Sequence, residues 1–482
     1  MIINKFGKKI VNALMSIVLT TTLCSNVVYA ADPEPTDTRT TAETAITTEA
    51  AYAMTVDSNN WENWPEGPQT YGEANIIMDA ETGAILYAKN IDGKAYPASI
   101  TKVLTMLIAL ENGNMEDTVS FSADSIYSVP YSYAHIGMKE GEEICLEDAL
   151  YGMMLASANE VAYSIGESVG ENLGEDYEWF IEKMNERCQE LGGVNSNFVN
   201  TNGLDDENHY TTARDMALIT QELLINHPEF ETICQTLQYT IPTTNITNET
   251  RTFQQNHKMF YQTSEHYDER VIAGKTGYTD IALNTLITCA DDGNMKLICV
   301  NLKTHGANVY PDTENLFNYA FDNFEHIDVS TVKKSADIES FGENSYVTVP
   351  MGVSFDDLEM EIIENEENEK IGTAVYTYQG TYVGEVDIEF SQSYIDAHSS
   401  ESESEEGNTS KKETLSIVKY IKYGIFAILI MIVVLFIIVV LLIIRKKKIQ
   451  RERRRRRQAA MRRRNQTRQR SSGNGNKRRK GE

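Results

Sequence analysis

The fold is decided by the stretch PASITKVLTMLIALE, residues 97–111. From Ser99 onward, apolar side chains occur on nearly every side of a helix, at Val103, Leu104, Met106, Leu107 and Leu110. A helix that is apolar all round lies in a protein core rather than on a surface. We therefore predict a buried helix over residues 99–111, with a serine at its first residue and a lysine one turn later.

Short strands precede this helix, and a block of helices follows it. Residues 74–78 and 84–88 flank a turn at 81–83, which is typical of two paired strands. Helical patterns follow over residues 146–155, 160–170, 177–191 and 212–224. Two more strands, 285–290 and 296–302, flank DDGN at 291–294, a strong hairpin signal, and a last helix spans 313–324. This order predicts an α+β fold in which helices pack on an antiparallel sheet.

Beyond about residue 328 the pattern changes to alternating strands with many acidic residues. The strand-like runs are 346–349, 358–363, 374–378 and 383–390. They predict a small all-β domain after the α+β domain. A Ser/Glu-rich run over 399–406 follows, and we interpret it as an extended, self-repelling linker.

Both ends of the chain carry hydrophobic segments next to basic residues. Three lysines precede an apolar run over 10–28, and VYA at 28–30 offers a small-residue cleavage site, which predicts a secretory signal peptide. An uncleaved anchor is the alternative. Residues 424–444 are 21 consecutive residues without a charge, about the length that a helix needs to cross a bilayer. RKKK at 445–448 follows at once and predicts a cytoplasmic tail and an extracellular body.

These patterns divide the chain into seven predicted segments. They are a signal peptide (1–30), a flexible Thr/Ala/Glu-rich spacer (31–68), the α+β domain (69–326), the small β-rich domain (327–397), an acidic linker (398–422), a transmembrane helix (423–444) and a basic cytoplasmic tail (445–482). The predicted localisation is the cell membrane, with a single span and the folded body outside.

Charge is distributed unevenly along the chain. Residues 445–482 carry 19 Lys/Arg and 2 Asp/Glu, whereas residues 31–444 carry 21 Lys/Arg and 69 Asp/Glu. So acidic a body repels nucleic acid, which excludes nucleic-acid binding as its function. Five cysteines lie beyond residue 30, and their odd number, wide spacing and lack of a Cys-x-x-Cys pair argue against a disulfide framework or a zinc site.

Three short motifs occur in order along the chain: SITK at 99–102, SAN at 157–159 and KTG at 275–277. Each alone is a weak signal, because Ser-x-x-Lys is expected by chance about once or twice in a chain of this length. Their positions in the predicted secondary structure make the three motifs together a stronger signal than any one of them. The first opens the buried helix, the second lies between two predicted helices, and the third precedes a hairpin. We therefore treat the set as candidate catalytic residues.

Ser99 and Lys102 are the predicted nucleophile and base. Residues three apart share one face of a helix, so the Lys102 amine can reach the Ser99 hydroxyl. A serine hydroxyl is a poor nucleophile until a base removes its proton. Lysine acts as a base only when unprotonated, and a low-dielectric site next to a second cation, here Lys275, would lower its pKa. The alternative is that Ser99 caps its helix while Lys102 faces solvent.

Other residues near the motifs suit the remaining steps of acyl transfer. Ser157 is a candidate to relay a proton to the leaving amine, and Asn159 to hold a substrate amide. Lys275 could also attract a substrate carboxylate. A helix start favours a developing oxyanion, so the backbone N–H groups of Ser99 and Tyr278 are predicted to form an oxyanion hole.

Residues 70–325 resemble the D-alanyl-D-alanine carboxypeptidases, the low-molecular-mass penicillin-binding proteins; the three motifs are also typical of class A β-lactamases. The runs that carry the resemblance are PASITK at 97–102, NGL at 202–204, HYTTARD at 209–215 and GKTGYT at 274–279. The β-rich segment with VGEV at 383–386 is similar to the family's second domain.

The resemblance implies a penicillin-binding-protein/β-lactamase-like fold and removal of the terminal D-alanine from peptidoglycan stem peptides. It implies that the catalytic residues are Ser99, Lys102 and Ser157, with an acyl-enzyme on Ser99. The substrate-binding residues that it implies are Asn159, Lys275, Thr276, Gly277 and Tyr278. It further implies covalent inhibition by β-lactam antibiotics, and no cofactor or metal. His209 invites a Ser–His pairing, but the family pattern places it in a turn beside a helix.

Other functions stay open. The family often has an arginine before its last helix that helps to hold the substrate carboxylate, and residues 305–313 contain none, so carboxypeptidase and DD-endopeptidase activity are not distinguished. A class A β-lactamase needs a glutamate-activated water, for which Glu207 and Glu222 are the candidates. A β-lactam sensor or wall-binding scaffold is a third alternative. The oligomeric state is not determined by the sequence.

Overall fold

The computed structural model describes residues 46–403 apart from 333–334, 343–344, 366–367 and 369. The strands are β1 (Gly72–Asp79), β2 (Ile85–Lys89), β3 (Thr118–Ser120), β4 (Glu143–Cys145), β5 (Gln238–Ile241), β6 (Arg251–Gln254), β7 (Val271–Thr279), β8 (Leu283–Asp291), β9 (Lys296–Thr304), β10 (Phe324–Asp328), β11 (Ile338–Phe341), β12 (Tyr346–Pro350), β13 (Glu359–Glu364), β14 (Ile371–Tyr378) and β15 (Thr381–Phe390). The helices are α1 (Thr48–Tyr52), α2 (Thr101–Asn112), α3 (Ala123–Tyr127), α4 (Leu146–Leu155), α5 (Asn159–Asn172), α6 (Tyr177–Glu190), α7 (Ala213–Asn226), α8 (Glu229–Cys234), α9 (Val309–Asn323) and α10 (Gln392–Glu403).

The central element is a five-stranded antiparallel sheet with the strand order β2-β1-β9-β8-β7. The two predicted strand pairs, β1 with β2 and β8 with β9, are both present in it. Alternate residues of a strand point to opposite faces of a sheet. Ile298 and Val300 of β9 therefore join one hydrophobic core, whereas Leu297 and Cys299 join a second core on the other face.

Helices cover both faces of this sheet. Helix α2 lies inside the first core, with every residue from Thr101 to Ala109 buried, and it packs against α5 and α7. Helix α9 covers the other face, against β1, β8 and β9. The predicted α+β class and the predicted buried helix are confirmed. One detail differs, because Ala98–Ile100 forms a turn of 3-10 helix before the α-helix begins at Thr101.

The β-rich segment shares a core with the rest of the chain. Strands β11, β15, β14 and β13 form a four-stranded antiparallel sheet, but β12 pairs with β10, the strand that follows α9. Val347 and Val349 of β12 are buried in the second core together with side chains of α9. Because this core is continuous, the described residues up to Ile395 form one compact unit, and the predicted boundary at 326/327 does not separate two cores.

The predicted flexible spacer over 31–68 is wrong for residues 46–68. This segment contains α1 and a 3-10 turn at Asp57–Asn60. The Trp64 side chain is buried in the second core, and its indole N–H donates to the Leu86 carbonyl at 2.9 Å. A single tryptophan buries a large apolar area. The average composition of the segment, rich in Thr, Ala and Glu, concealed this anchor.

The remaining predicted segments lie mostly outside the described residues. These are the signal peptide (1–30), the transmembrane helix (423–444), the basic tail (445–482) and the acidic linker (398–422) beyond residue 403. The prediction of an extended linker is wrong for residues 398–403, which belong to α10. Among the described helices, none has the length and apolar character needed to cross a membrane. The five cysteines beyond residue 30 all lie in the described part of the chain, where they are free thiols.

Candidate active site

Ser99 lies in the turn that opens α2, and the backbone of that turn is constrained from several sides. Ala98 has a φ of +51°, a conformation that costs a non-glycine residue about 1–3 kcal/mol. The Ala98 carbonyl accepts a hydrogen bond from the Thr101 hydroxyl at 2.9 Å. A Cβ atom on Gly203 would collide with the same carbonyl, so only glycine fits there. These contacts hold the half-buried Ser99 side chain in place.

The Lys102 amine is fully buried and has three close neighbours. Its Nζ lies 3.0 Å from Ser99 Oγ, 2.7 Å from Asn159 Oδ1 and 2.6 Å from the Asn202 carbonyl oxygen. Burial holds the pKa of Lys102 well below its ordinary value, and the charge of Lys275 lowers it further. The structure thus brings the predicted nucleophile and base together, and it adds the Asn202 carbonyl, whose role the sequence did not indicate.

The neighbours of Lys102 determine the orientation of its lone pair. An uncharged amine has two N–H bonds and one lone pair. Asn159 Oδ1 and the Asn202 carbonyl only accept hydrogen bonds, so they take the two N–H bonds. The lone pair is then left for Ser99, whose hydroxyl donates to it. In this arrangement Lys102 can remove the Ser99 proton as a general base.

Ser157 and Lys275 form a second pair of functional groups. Lys275 is buried in β7, and its Nζ donates to Ser157 Oγ at 2.9 Å and to the Thr276 carbonyl at 2.8 Å. Burial lowers the pKa of Lys275 to about 7. Ser157, between α4 and α5, has a φ of +59°, a second strained residue in the site. An amine that changes its charge near neutral pH therefore lies against the predicted proton-relay hydroxyl.

Strand β7 approaches the opening turn of α2 very closely. A Cβ atom on Gly277 would collide with the Thr285 hydroxyl and would lie 3.0 Å from the Ser99 backbone nitrogen, so this approach requires glycine. The Tyr278 side chain is exposed, and Thr276 is half-buried. Because β7 is an edge strand, its open side can pair with an extended peptide next to Ser99. The oxyanion hole from the Ser99 and Tyr278 N–H groups stays a prediction.

Hydrogen bonds within the protein hold the side-chain amide of Asn159 in one orientation. Its backbone N–H and its Nδ2 both donate to the Ala134 carbonyl, at 2.9 and 3.0 Å, while its Oδ1 accepts from Lys102. The predicted contact between Asn159 and a substrate amide stays a prediction. In the structure, Asn159 serves to orient the Lys102 amine.

The ring nitrogens of His209 bond to groups other than Ser99. Its Nε2 lies 2.8 Å from the Thr101 hydroxyl oxygen, and its Nδ1 accepts from the Val199 N–H at 3.1 Å. Burial lowers the pKa of His209 to about 3, so the ring is uncharged at neutral pH. His209 therefore supports the turn that carries Ser99.

Of the two candidates for a water-activating glutamate, Glu222 is engaged away from the site. Glu222 accepts from Arg187 at 2.7 Å, and Arg187 also binds Glu111, near the last residue of α2. Glu111 lies nine positions further along α2 than Lys102, a distance of about 14 Å. Glu207 is exposed to solvent.

Sequence reasoning missed one buried acid, Glu160. Its side chain is 4% exposed, and its Oε1 accepts from the Ile136 N–H at 2.7 Å. Among the described residues, nothing forms a hydrogen bond with its Oε2. Burial raises the pKa of Glu160. Only its position directly after the SAN motif could have singled it out.

Comparisons with known proteins point to one family. Residues 62–306, just over half of the chain, match the D-alanyl-D-alanine carboxypeptidase family. The D-alanyl-D-alanine carboxypeptidase DacF of Bacillus subtilis is 32% identical over 234 residues, which are 47% of this chain and 55% of that protein, so the match spans about half of DacF. DacA of Escherichia coli, also a D-alanyl-D-alanine carboxypeptidase, is 26% identical over 370 residues, 70% of this chain and 87% of that protein.

Solved structures show the same fold. Penicillin binding protein 5 from Haemophilus influenzae superposes with a TM-score of 0.53 at 24% identity, covering 68% of this chain and 98% of that chain. At this identity the likeness establishes the penicillin-binding-protein fold alone.

Proposed function

Because this chain belongs to the D-alanyl-D-alanine carboxypeptidase family, which consists of serine peptidases, we propose that it removes the terminal D-alanine from peptidoglycan stem peptides through an acyl-enzyme on Ser99. The observation that carries the proposal is the Lys102 amine. It is buried, its pKa is lowered, and it lies 3.0 Å from Ser99 Oγ with both N–H bonds held elsewhere.

The reaction takes two half-reactions on one serine. In the first, Ser99 Oγ bonds to the carbonyl carbon of the penultimate D-alanine, and its proton passes to Lys102 Nζ. The C–N bond then breaks, and the leaving D-alanine takes up the proton that Lys102 received, with Ser157 as the candidate relay between them. In the second, water attacks the ester, its proton returns through Lys102, and Ser99 is regenerated with release of the shortened peptide.

Recognition of the terminal carboxylate is assigned to Lys275 and Thr276. A protonated Lys275 attracts the carboxylate, and burial strengthens that attraction. No arginine lies between residues 305 and 313, and Val309, the first residue of α9, is buried. The carboxylate site therefore depends on fewer cations than the family pattern often provides.

The nucleophile is tested by intact-mass measurement after incubation with penicillin. The wild-type chain is expected to gain the mass of one penicillin, whereas Ser99→Ala gains none. A covalent adduct on Ser99→Ala would refute the assigned nucleophile.

The bond that is cut is tested by comparing three substrates. We expect D-alanine release from a D-Ala-D-Ala pentapeptide and slow turnover of nitrocefin. Rapid nitrocefin turnover without D-alanine release would indicate a β-lactamase, and preferred cleavage of a cross-linked dimer would indicate a DD-endopeptidase. Acylation by penicillin without any peptide product would indicate a sensor.

The membrane topology is a separate proposal that rests on the sequence. The uncharged residues 424–444 and the basic residues that follow them support a single span with the body outside the cell. The protein is then expected to stay in the membrane pellet after an alkaline carbonate wash. External protease would digest the body and spare a tag on the tail; release by carbonate contradicts the span.

A further inference from the structure

Glu160 is a buried carboxylate that none of the steps above uses. It is the second residue of α5, 4% exposed, and its charge raises the pKa of Lys102 against the opposite effects of burial and Lys275. A buried charge is costly unless it is paired or hydrogen-bonded. Oε1 accepts from the Ile136 N–H, and the backbone N–H groups of Glu160 and Met138 and the nearby His135 also favour the charged form of the carboxyl. No hydrogen-bond partner of Oε2 occurs in the described part of the chain. Such a group needs a functional explanation.

Asn159 and Glu160 together hold the backbone of residues 134–136. The Ala134 carbonyl accepts from both nitrogens of Asn159, and the Ile136 N–H donates to Glu160 Oε1. The Ala134 carbonyl decides which way the Asn159 amide faces, because an oxygen can pair only with the Nδ2 end. The Oδ1 end is thereby turned toward Lys102.

Losing this arrangement would misdirect the base. If the Ala134 carbonyl moved away, the Asn159 amide could rotate by half a turn and place Nδ2 against the Lys102 amine. Two donors would then face each other, and the lone pair of Lys102 would turn toward Nδ2 and away from Ser99. The serine hydroxyl would lose its acceptor.

We propose that Glu160 is a positioning residue for Lys102. Its hydrogen bond with the Ile136 N–H holds the Ala134 carbonyl against the Asn159 amide. The Asn159 amide then keeps its oxygen toward Lys102, so that the Lys102 lone pair points at Ser99. The negative charge of Glu160 also favours the protonated form of the Lys102 amine. This inference rests on the proposed acylation of Ser99.

Three variants of the full-length chain separate hydrogen bonding from charge. Glu160→Ala removes both. Glu160→Gln removes the charge and keeps an oxygen that can accept from Ile136. Glu167→Ala is the matched control, because Glu167 lies two turns further along α5 and its Oε2 accepts from the Ser122 hydroxyl at 2.6 Å, away from residues 134–136.

The measurement is the second-order rate of acylation by a fluorescent penicillin between pH 5 and 10. We expect Glu160→Ala to be slower by about 10- to 100-fold, the effect of a misplaced catalytic group. Glu160→Gln should recover most of that rate. Its acid limb should lie at lower pH than that of the wild type, because Lys102 without a neighbouring anion loses its proton more readily. Glu167→Ala should match the wild type.

Several outcomes would overturn the role of Glu160. They are a wild-type rate for Glu160→Ala, an equal loss in Glu167→Ala, or an unshifted acid limb in Glu160→Gln. If Glu160→Ala does not fold, the Glu160→Gln profile decides alone. Failure of the underlying function is distinguishable, because the wild-type chain itself would then form no penicillin adduct.

Discussion

At the scale of single residues, two lysines with opposite tasks share one buried site. In the proposed mechanism, Lys102 acts as a base and must be uncharged, whereas Lys275 attracts a carboxylate and must be charged. Burial lowers the pKa of both, that of Lys275 to about 7. Activity therefore requires a pH high enough for Lys102 to lose its proton and low enough for Lys275 to keep its own.

This requirement predicts a bell-shaped pH dependence of kcat/KM for D-alanine release. The rate should rise as Lys102 loses its proton and fall above about pH 7 as Lys275 loses its own. Lys275→Arg keeps a positive charge at all these pH values, so its alkaline limb should disappear even if its maximum rate is lower. If the rate of Lys275→Arg still falls at alkaline pH as it does in the wild type, that fall is caused by a group other than Lys275.

The lowered pKa of His209 predicts how the free energy of unfolding depends on pH. Its pKa is about 3 in the folded chain, against about 6.5 in an unfolded one. Between these values the unfolded state binds one more proton, so the free energy of unfolding falls as the pH falls from about 6.5 toward 3. In His209→Gln this slope should be smaller by up to about 1.4 kcal/mol per pH unit.

Urea unfolding at a series of pH values measures that slope. An identical slope in His209→Gln and the wild type would show that the ring is not held neutral.

At the scale of elements, the start of α2 is shaped by a distant loop. Helix α2 and the 3-10 turn before it have no side-chain N-cap. The turn is held from outside by His209 and by the close approach of Gly203 to the Ala98 carbonyl. The proposed nucleophile, Ser99, is thus positioned by residues about one hundred positions further along the chain.

Gly203 gives a test of that dependence. Gly203→Ala puts a side chain at a φ of +85° and against the Ala98 carbonyl. Gly192→Ala puts one at a φ of +90° but with its nearest neighbour, Leu218, 3.8 Å away. Both variants should lose about 1–3 kcal/mol of stability from the backbone conformation. Only Gly203→Ala should also lose penicillin acylation when folded; equal acylation by the two variants would contradict the role of this contact.

At the scale of the whole molecule, the β-rich segment and the catalytic sheet share the second core. Thr82 and Thr348 are hydrogen-bonded through their hydroxyls at 2.7 Å, and the Tyr382 hydroxyl donates to the Thr82 carbonyl at 3.1 Å. Strand β12 completes the core beside α9. Penicillin acylation should therefore be lost when the β-rich segment unfolds.

A cavity in β12 tests this coupling. Val347 is fully buried, and Val347→Ala should cost about 2 kcal/mol. Tryptophan fluorescence and penicillin acylation, followed in the same urea series, should both lose their native signal at one lowered midpoint. Acylation that survives beyond the fluorescence transition would show that the two parts unfold separately.

The sequence by itself determined the α+β class, the buried helix at 99–111 and the residues of the three motifs. These follow from local periodicity and from side-chain chemistry, which need no knowledge of neighbours. The same logic failed for residues 46–68, where one buried tryptophan outweighs the composition. The substrate-binding roles of Asn159, Thr276 and Tyr278 stay predictions.

Only the tertiary structure decided how Lys102 is used. Its two acceptors come from residues 57 and 100 positions away, and one of them is a backbone carbonyl. Backbone groups carry no signature in a sequence, and neither does the Ala134 carbonyl that directs Asn159. Whether the lone pair or an N–H bond of Lys102 faces Ser99 depends on where these backbone carbonyls lie in space. Only the folded chain brings them next to Lys102 and Asn159.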